Sequence, residues 1–231
     1  MSIGAVGDTA ARPPGVERDR WVHAGIRVEV TTLIWMTVEA AVGIGAGVVA
    51  RSVLLTAFGL DSVIELVTGA ALLWRLTAEA RDSSLERIEQ AERRAAWIAG
   101  IGLALLCAYV LILSALGLFT RTRPDASLVG IGLAVVALLG MPILARRKRR
   151  IAEAIGSASL RGDAACSITC AYMAGALLLG LAARALLGWW WADGVAALAL
   201  LYWLVPETRE ALDGARAGKA ACSCAEDDCA E

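Results

Sequence analysis

The chain has 231 residues, of which 58% are hydrophobic, and its 22 basic and 23 acidic side chains leave a net charge of −1. Soluble domains have roughly 45–50% apolar residues, and the 19% of charged residues here cluster between long uncharged runs. This composition excludes a disordered chain, a disulfide-stapled secreted miniprotein and a nucleic-acid-binding protein with a basic face. We therefore expect an all-α integral membrane protein.

Six segments are apolar enough to cross the membrane as helices, which takes about 20 residues each. They are Val30–Ala50, Val53–Leu73, Ala96–Leu118, Leu128–Ala145, Ala164–Leu187 and Trp189–Val205. Only Arg51 and Ser52 separate the first two segments, which predicts a tight helical hairpin, and the last two join near Gly188. Gly43 and Gly47 give the first helix a flat face that favours close helix packing.

Most basic residues lie in the two terminal tails and in the second–third and fourth–fifth loops. The excess of basic residues on one side predicts that both termini are cytoplasmic, and the basic run 146–150 is interpreted as part of this signal. We expect a cytoplasmic tail over residues 1–25, a six-helix transmembrane domain over 26–206 and a short cytoplasmic tail over 207–231. The first tail lacks the features of a cleaved signal peptide, so the first span should remain in the mature protein.

Two carboxylates of the second span, Asp61 and Glu65, are four residues apart within an apolar helix. This spacing places both on one helix face, with Cβ atoms about 5–6 Å apart. Like charges in a low-dielectric environment repel unless a proton or cation is shared between them, and the span contains no basic residue. The pair therefore predicts a cation site. The alternative is that both carboxylates lie at a helix end and reach water.

The fifth span carries Asp163, Cys166 and Cys170 on one helix face. A buried cysteine is by default a small apolar residue, but two cysteines one turn apart below an aspartate could also bind a soft or borderline metal. Together with Asp61 and Glu65, the two thiols would complete a four-coordinate site of the kind that zinc accepts. Asp163 is a secondary candidate ligand.

Three further features are candidates for weaker roles. Glu39, midway along the first span, could line an ion path, carry a proton or hydrogen-bond to a neighbouring helix. Asp193, near the start of the sixth helix, is expected to cap or pack a helix. The C-terminal tail holds three cysteines among acidic residues, a tail site that could capture metal or be incidental. These cysteines are Cys222, Cys224 and Cys229.

Enzymatic signatures are missing from the sequence. The chain has one histidine, His23, which excludes paired haem ligands and a His-Glu-x-x-His metalloprotease helix. The sequence has no phosphate-binding P-loop and no Gly-x-Ser-x-Gly nucleophile motif. We therefore predict no enzymatic activity, no bound cofactor and no nucleic-acid partner.

The stretch ARSVLLTAFGLDSVIE over Ala50–Glu65 resembles the first-to-second helix hairpin of the cation diffusion facilitator family. The segments SLRGD and WWWADGVAALAL resemble the fifth and sixth helices of the same family, so the resemblance covers roughly residues 26–212. It implies a bundle in which helices one, two, four and five enclose the ion while helices three and six flank it.

The resemblance also implies site residues. Asp61 and Glu65 fall on the family's second-helix metal pair, whereas Cys166 and Cys170 fall on fifth-helix positions that are usually His or Asp and then Asp. The two thiols therefore imply a softer site. Family members usually carry a cytoplasmic ferredoxin-like module that dimerises, but about 25 residues follow the sixth span here, so homodimer formation is left open.

The sequence thus predicts a multi-pass transporter of the cell membrane, surrounded by lipid, that exports a divalent metal ion, zinc above others. Metal would be exchanged for protons by alternating access. A membrane-embedded metal sensor or partner-binding subunit that moves no metal is the main alternative. A transporter of organic cations, which would need the carboxylates but not the cysteines, is the third possibility.

Overall fold

A computed structural model describes residues 15–79, 85–125 and 127–217, and these residues form six α-helices and no β-strand. The helices are α1 (Gly15–Ala50), α2 (Val53–Glu79), α3 (Leu85–Thr120), α4 (Leu128–Ile155), α5 (Ala158–Leu187) and α6 (Ala192–Ala217). Helices α1 to α5 are each long and apolar enough to cross a membrane. The prediction of an all-α, six-helix chain is confirmed.

The sixth helix differs from the other five in its polarity. It begins at Ala192 rather than Trp189, and Pro206 lies inside it. Charged residues follow this proline at Glu207, Arg209 and Glu210. The apolar part of α6 therefore ends where the predicted span ends, although the helix itself continues to Ala217.

Several helices are longer than the predicted spans. α1 begins at Gly15, within the predicted tail, and α3 begins at Leu85 rather than Ala96. The added segments hold several arginine and glutamate residues, which have high helix propensity. Hydropathy marks only the apolar part of such a helix, so it places the boundary too far inside.

The α1–α2 hairpin is as tight as predicted. Arg51 adopts a left-handed conformation with φ of 54°, and α2 then starts at Val53. Asp193 of α6 caps this start: its carboxylate accepts hydrogen bonds from the Ser52 hydroxyl and, at 3.0 Å, from the Val53 backbone N–H. A carboxylate at a helix N-terminus pairs with otherwise unsatisfied N–H groups and with the helix dipole. The predicted capping role of Asp193 is confirmed, on α2 rather than on its own helix.

Four helices form a closed ring in the bundle. α1 packs against α2 and α4, and α5 packs against α4 and α2. α3 contacts α2 and α6, while α6 also contacts α5, so these two helices flank the ring. A core that includes Phe58, Met141, Met173 and Leu177 fills the bundle. The helix arrangement that the family resemblance implies is therefore present.

Small residues bring α1 and α2 into backbone contact. A Cβ added to Gly43 would lie 2.9 Å from the Gly59 Cα atom, and one added to Gly47 would lie 2.6 Å from the Thr56 nitrogen. A Cβ on Gly45 would meet no atom within 4 Å. The predicted close-packing face at Gly43 and Gly47 is confirmed.

Replacing Gly47 by valine should destabilise the bundle, because the new side chain would overlap the α2 backbone. Overpacking of this kind typically costs about 1–3 kcal/mol. Gly45→Val is the matched control, since its side chain has open space. We expect a lower thermal unfolding midpoint in detergent for Gly47→Val only; equal midpoints for the two variants would contradict the packing described here.

Candidate metal site

The two carboxylates of α2 lie on one buried face of the helix. Asp61 is 5% exposed and Glu65 is half-buried. Asp61 lies eight residues after the start of α2 at Val53, which corresponds to about 12 Å along the helix axis. Asp61 therefore lies more than two turns inside the candidate span Val53–Ala78, away from both ends of the helix. The structure therefore does not support the alternative in which both carboxylates lie at a helix end.

Helix α5 supplies a thiol to the same place. The Cys170 Sγ atom donates a hydrogen bond to Glu65 Oε1 at 2.6 Å, and Cys170 is 2% exposed. One ligand atom from each of Asp61, Glu65 and Cys170 lies within 4.8 Å of the other two. Residues more than 100 positions apart in the chain thus converge between α2 and α5.

This set of atoms suits a divalent metal of borderline softness. Zinc binds thiolate sulfur at about 2.3 Å and carboxylate oxygen at about 2.0–2.2 Å. Ligand atoms within 4.8 Å of one another could surround such an ion after small side-chain movements. The thiol would have to lose its proton, because the thiolate is the metal ligand. Zinc as cargo is therefore compatible with the geometry of these three residues.

Two further acidic residues lie near the cluster. Glu39 of α1 is 1% exposed and accepts a hydrogen bond at 3.0 Å from Ser62, the neighbour of Asp61. Glu207 of α6 is close enough to interact electrostatically with both Asp61 and Glu65, as is Glu39. The charged groups of the described chain that act on these two carboxylates are all acidic. The surroundings therefore favour a cation over an anion or a neutral ligand.

The other predicted ligands lie elsewhere. Cys166 is buried one helical turn from Cys170 but is outside the three-residue cluster, so its role as a ligand stays a prediction. Asp163 is 6% exposed and contacts Lys148 instead. The hydrogen bond from Ser62 gives Glu39 the interhelical contact that was one of its three alternatives. The tail site at Cys222, Cys224 and Cys229 lies outside the described residues.

Sequence reasoning missed three charged residues inside the bundle, Glu29, Lys148 and Glu207. The basic run 146–150 predicts an orientation signal that includes Lys148, but Lys148 is fully buried and pairs with Glu29 and Asp163. Its position could have been found from spacing, since Met141, Ala145, Lys148 and Ala152 form one buried stripe of α4. Glu207 was missed because it follows the proline that ends the predicted span.

Comparison with known protein families identifies the family of this chain. Residues 30–212 match the cation efflux transmembrane domain, which agrees with the resemblance to the cation diffusion facilitator family. The curated proteins compared with the chain gave no match. The family match covers more than half of the chain and includes all three residues of the cluster. The chain therefore belongs to the cation efflux family and is a multi-pass membrane transporter of cations.

Proposed function

We propose that this chain exports a divalent metal ion, most favourably zinc, across the cell membrane in exchange for protons. The observation that carries the proposal is the convergence of Asp61, Glu65 and Cys170 between α2 and α5. Two carboxylates and one thiol form a mixed oxygen and sulfur set, and sulfur favours zinc or cadmium over manganese or magnesium. Asp61, Glu65 and Cys170 are assigned as ligands, with Cys166 as the nearest additional thiol on α5.

Exchange for protons follows from the chemistry of the same ligands. The Cys170 thiol donates a hydrogen bond to Glu65, and the proton of this thiol has to leave before the thiolate can bind metal. Metal binding to such ligands therefore releases protons, and proton binding releases metal. A pH difference across the membrane can then drive the metal in one direction, provided that the site has different metal affinities in its inward-facing and outward-facing forms.

Zinc flux into proteoliposomes under an imposed pH gradient tests the proposal. We expect uptake that increases with the gradient, proton movement in the opposite direction, and weaker apparent zinc affinity as the pH of the loading side falls. Vesicles without protein and vesicles without a gradient are the controls. Tight zinc binding in detergent with no flux under any gradient would overturn the transport proposal in favour of a metal sensor.

A further inference from the structure

A second cluster of charged side chains lies inside the bundle, away from the candidate metal site. Lys148 of α4 is 0% exposed, and its Nζ atom lies 3.2 Å from Glu29 Oε2 of α1. The same Nζ atom contacts Asp163 Oδ2 of α5. Lysine is almost never fully buried unless it is paired. We call Glu29, Lys148 and Asp163 the charged triad.

The triad lies between the metal site and the ends of the helices that carry both termini. Glu29 precedes Glu39 by ten residues in α1, and Asp163 precedes Cys170 by seven in α5, which correspond to about 15 Å and 10 Å along the helices. Gly69 of α2 faces the triad, since a Cβ on it would lie 2.8 Å from Glu29 Oε1. All four helices of the ring therefore meet at this level. The triad therefore lies inside the ring, between its terminal side and Asp61.

The triad holds more acidic groups than basic ones. Two carboxylates face one ammonium group, and the structure gives Glu29 Oε1, which is buried, no hydrogen-bond partner among the described residues. Glu29 interacts electrostatically with Asp163 and Lys148, the charged groups that act on it from the neighbouring helices. Two carboxylate oxygens already converge on one positively charged atom, and the same two oxygens could hold a divalent cation in the place of that atom.

We propose that Glu29 and Asp163 form a second divalent-cation site, a capture site on the terminal side, and that Lys148 is a tethered cation that fills it. When Lys148 occupies the site, the passage from the terminal side to Asp61 is closed. When its ammonium group withdraws, the two carboxylates bind an incoming metal ion and pass it to the site between α2 and α5. This inference rests on the proposed function, in which the cargo is a divalent metal taken from the terminal side.

Zinc binding to the full-length chain in detergent tests the capture site without any need for transport. The starting variant combines Asp61→Asn and Glu65→Gln with serine at the three tail cysteines, which removes the other candidate sites. We expect no tight zinc binding by this variant. Adding Lys148→Gln should expose a site for one zinc ion per chain, and adding Glu29→Gln as well should abolish it. Absence of binding in a correctly folded Lys148→Gln variant would overturn the proposal.

A second variant tests the capture site if Lys148→Gln alone does not fold. The pair Glu29→Gln and Lys148→Gln in the otherwise unchanged chain removes one charge of each sign, so the net charge of the triad is conserved. We expect KM for zinc flux to rise about tenfold, as for loss of a metal-supporting group, while kcat is retained. An unchanged KM would overturn the capture site. Absence of flux by the unmodified chain would instead be a failure of the proposed function.

Discussion

Replacing Asp61 by asparagine is expected to abolish metal flux while the protein still folds. Asparagine has the shape of aspartate but no charge, so it removes the charge of a proposed metal ligand without adding volume. Loss of groups that only support a metal ligand costs about 10–100-fold in metal affinity, and loss of a direct ligand should cost at least as much. Flux in proteoliposomes and zinc affinity in detergent are the two measurements.

Asp213→Asn is the control for this substitution, because Asp213 is an exposed residue near the end of α6 that pairs with Arg216. It removes the same charge from the same chain and should leave flux unchanged. Thermal unfolding midpoints in detergent verify that both variants are folded. Zinc flux at the unmodified rate in Asp61→Asn would rule out the α2 carboxylates as part of the transport path.

Replacing Cys170 by serine is expected to change the metal preference of the site while the protein still folds. Serine has nearly the same volume but offers an oxygen in place of a sulfur, and sulfur ligands favour zinc over hard cations such as manganese and magnesium. We expect the ratio of zinc affinity to manganese affinity to fall about tenfold or more, in line with the effect of lost ligand support. Competition binding with both metals measures this ratio.

Two other cysteines serve as comparisons. Cys107 of α3 lies outside the cluster of Asp61, Glu65 and Cys170, and its Sγ atom is 3.4 Å from the Thr208 hydroxyl. Cys107→Ser should therefore leave the ratio of zinc to manganese affinity unchanged. Cys166→Ser should lower the ratio only if Cys166 joins the ligands when metal is bound. An unchanged ratio in Cys170→Ser would contradict thiol ligation and would favour a site that needs only carboxylates.

Much of the fold could be predicted from the sequence, because each span is a long apolar run. The Asp61–Glu65 spacing also predicted a shared helix face, since local helix geometry fixes which residues lie side by side. The convergence of Cys170 with this pair depends on how α2 and α5 pack, which no local pattern determines. It was predicted from ligand chemistry and from the family resemblance. The same packing leaves Cys166, one turn away on α5, outside the cluster.

The interactions of Lys148 and Glu207 could not be predicted from local pattern alone. A basic residue beside four arginines looks like an orientation signal, and only the positions of α1 and α5 show that this one is paired inside the bundle. Glu207 follows a proline at the end of an apolar run, so hydropathy assigns it to the tail. Both residues depend on contacts between helices that are far apart in the chain.

X-ray absorption at the zinc edge of the zinc-loaded, full-length protein tests the metal site most directly. The tail cysteines should be replaced by Cys222→Ser, Cys224→Ser and Cys229→Ser, so that any sulfur ligand comes from the helices. We predict a mixed shell of oxygen and sulfur, with sulfur at about 2.3 Å that disappears in the added Cys170→Ser variant. A shell without sulfur, or one that Cys170→Ser leaves unchanged, would contradict the site between α2 and α5.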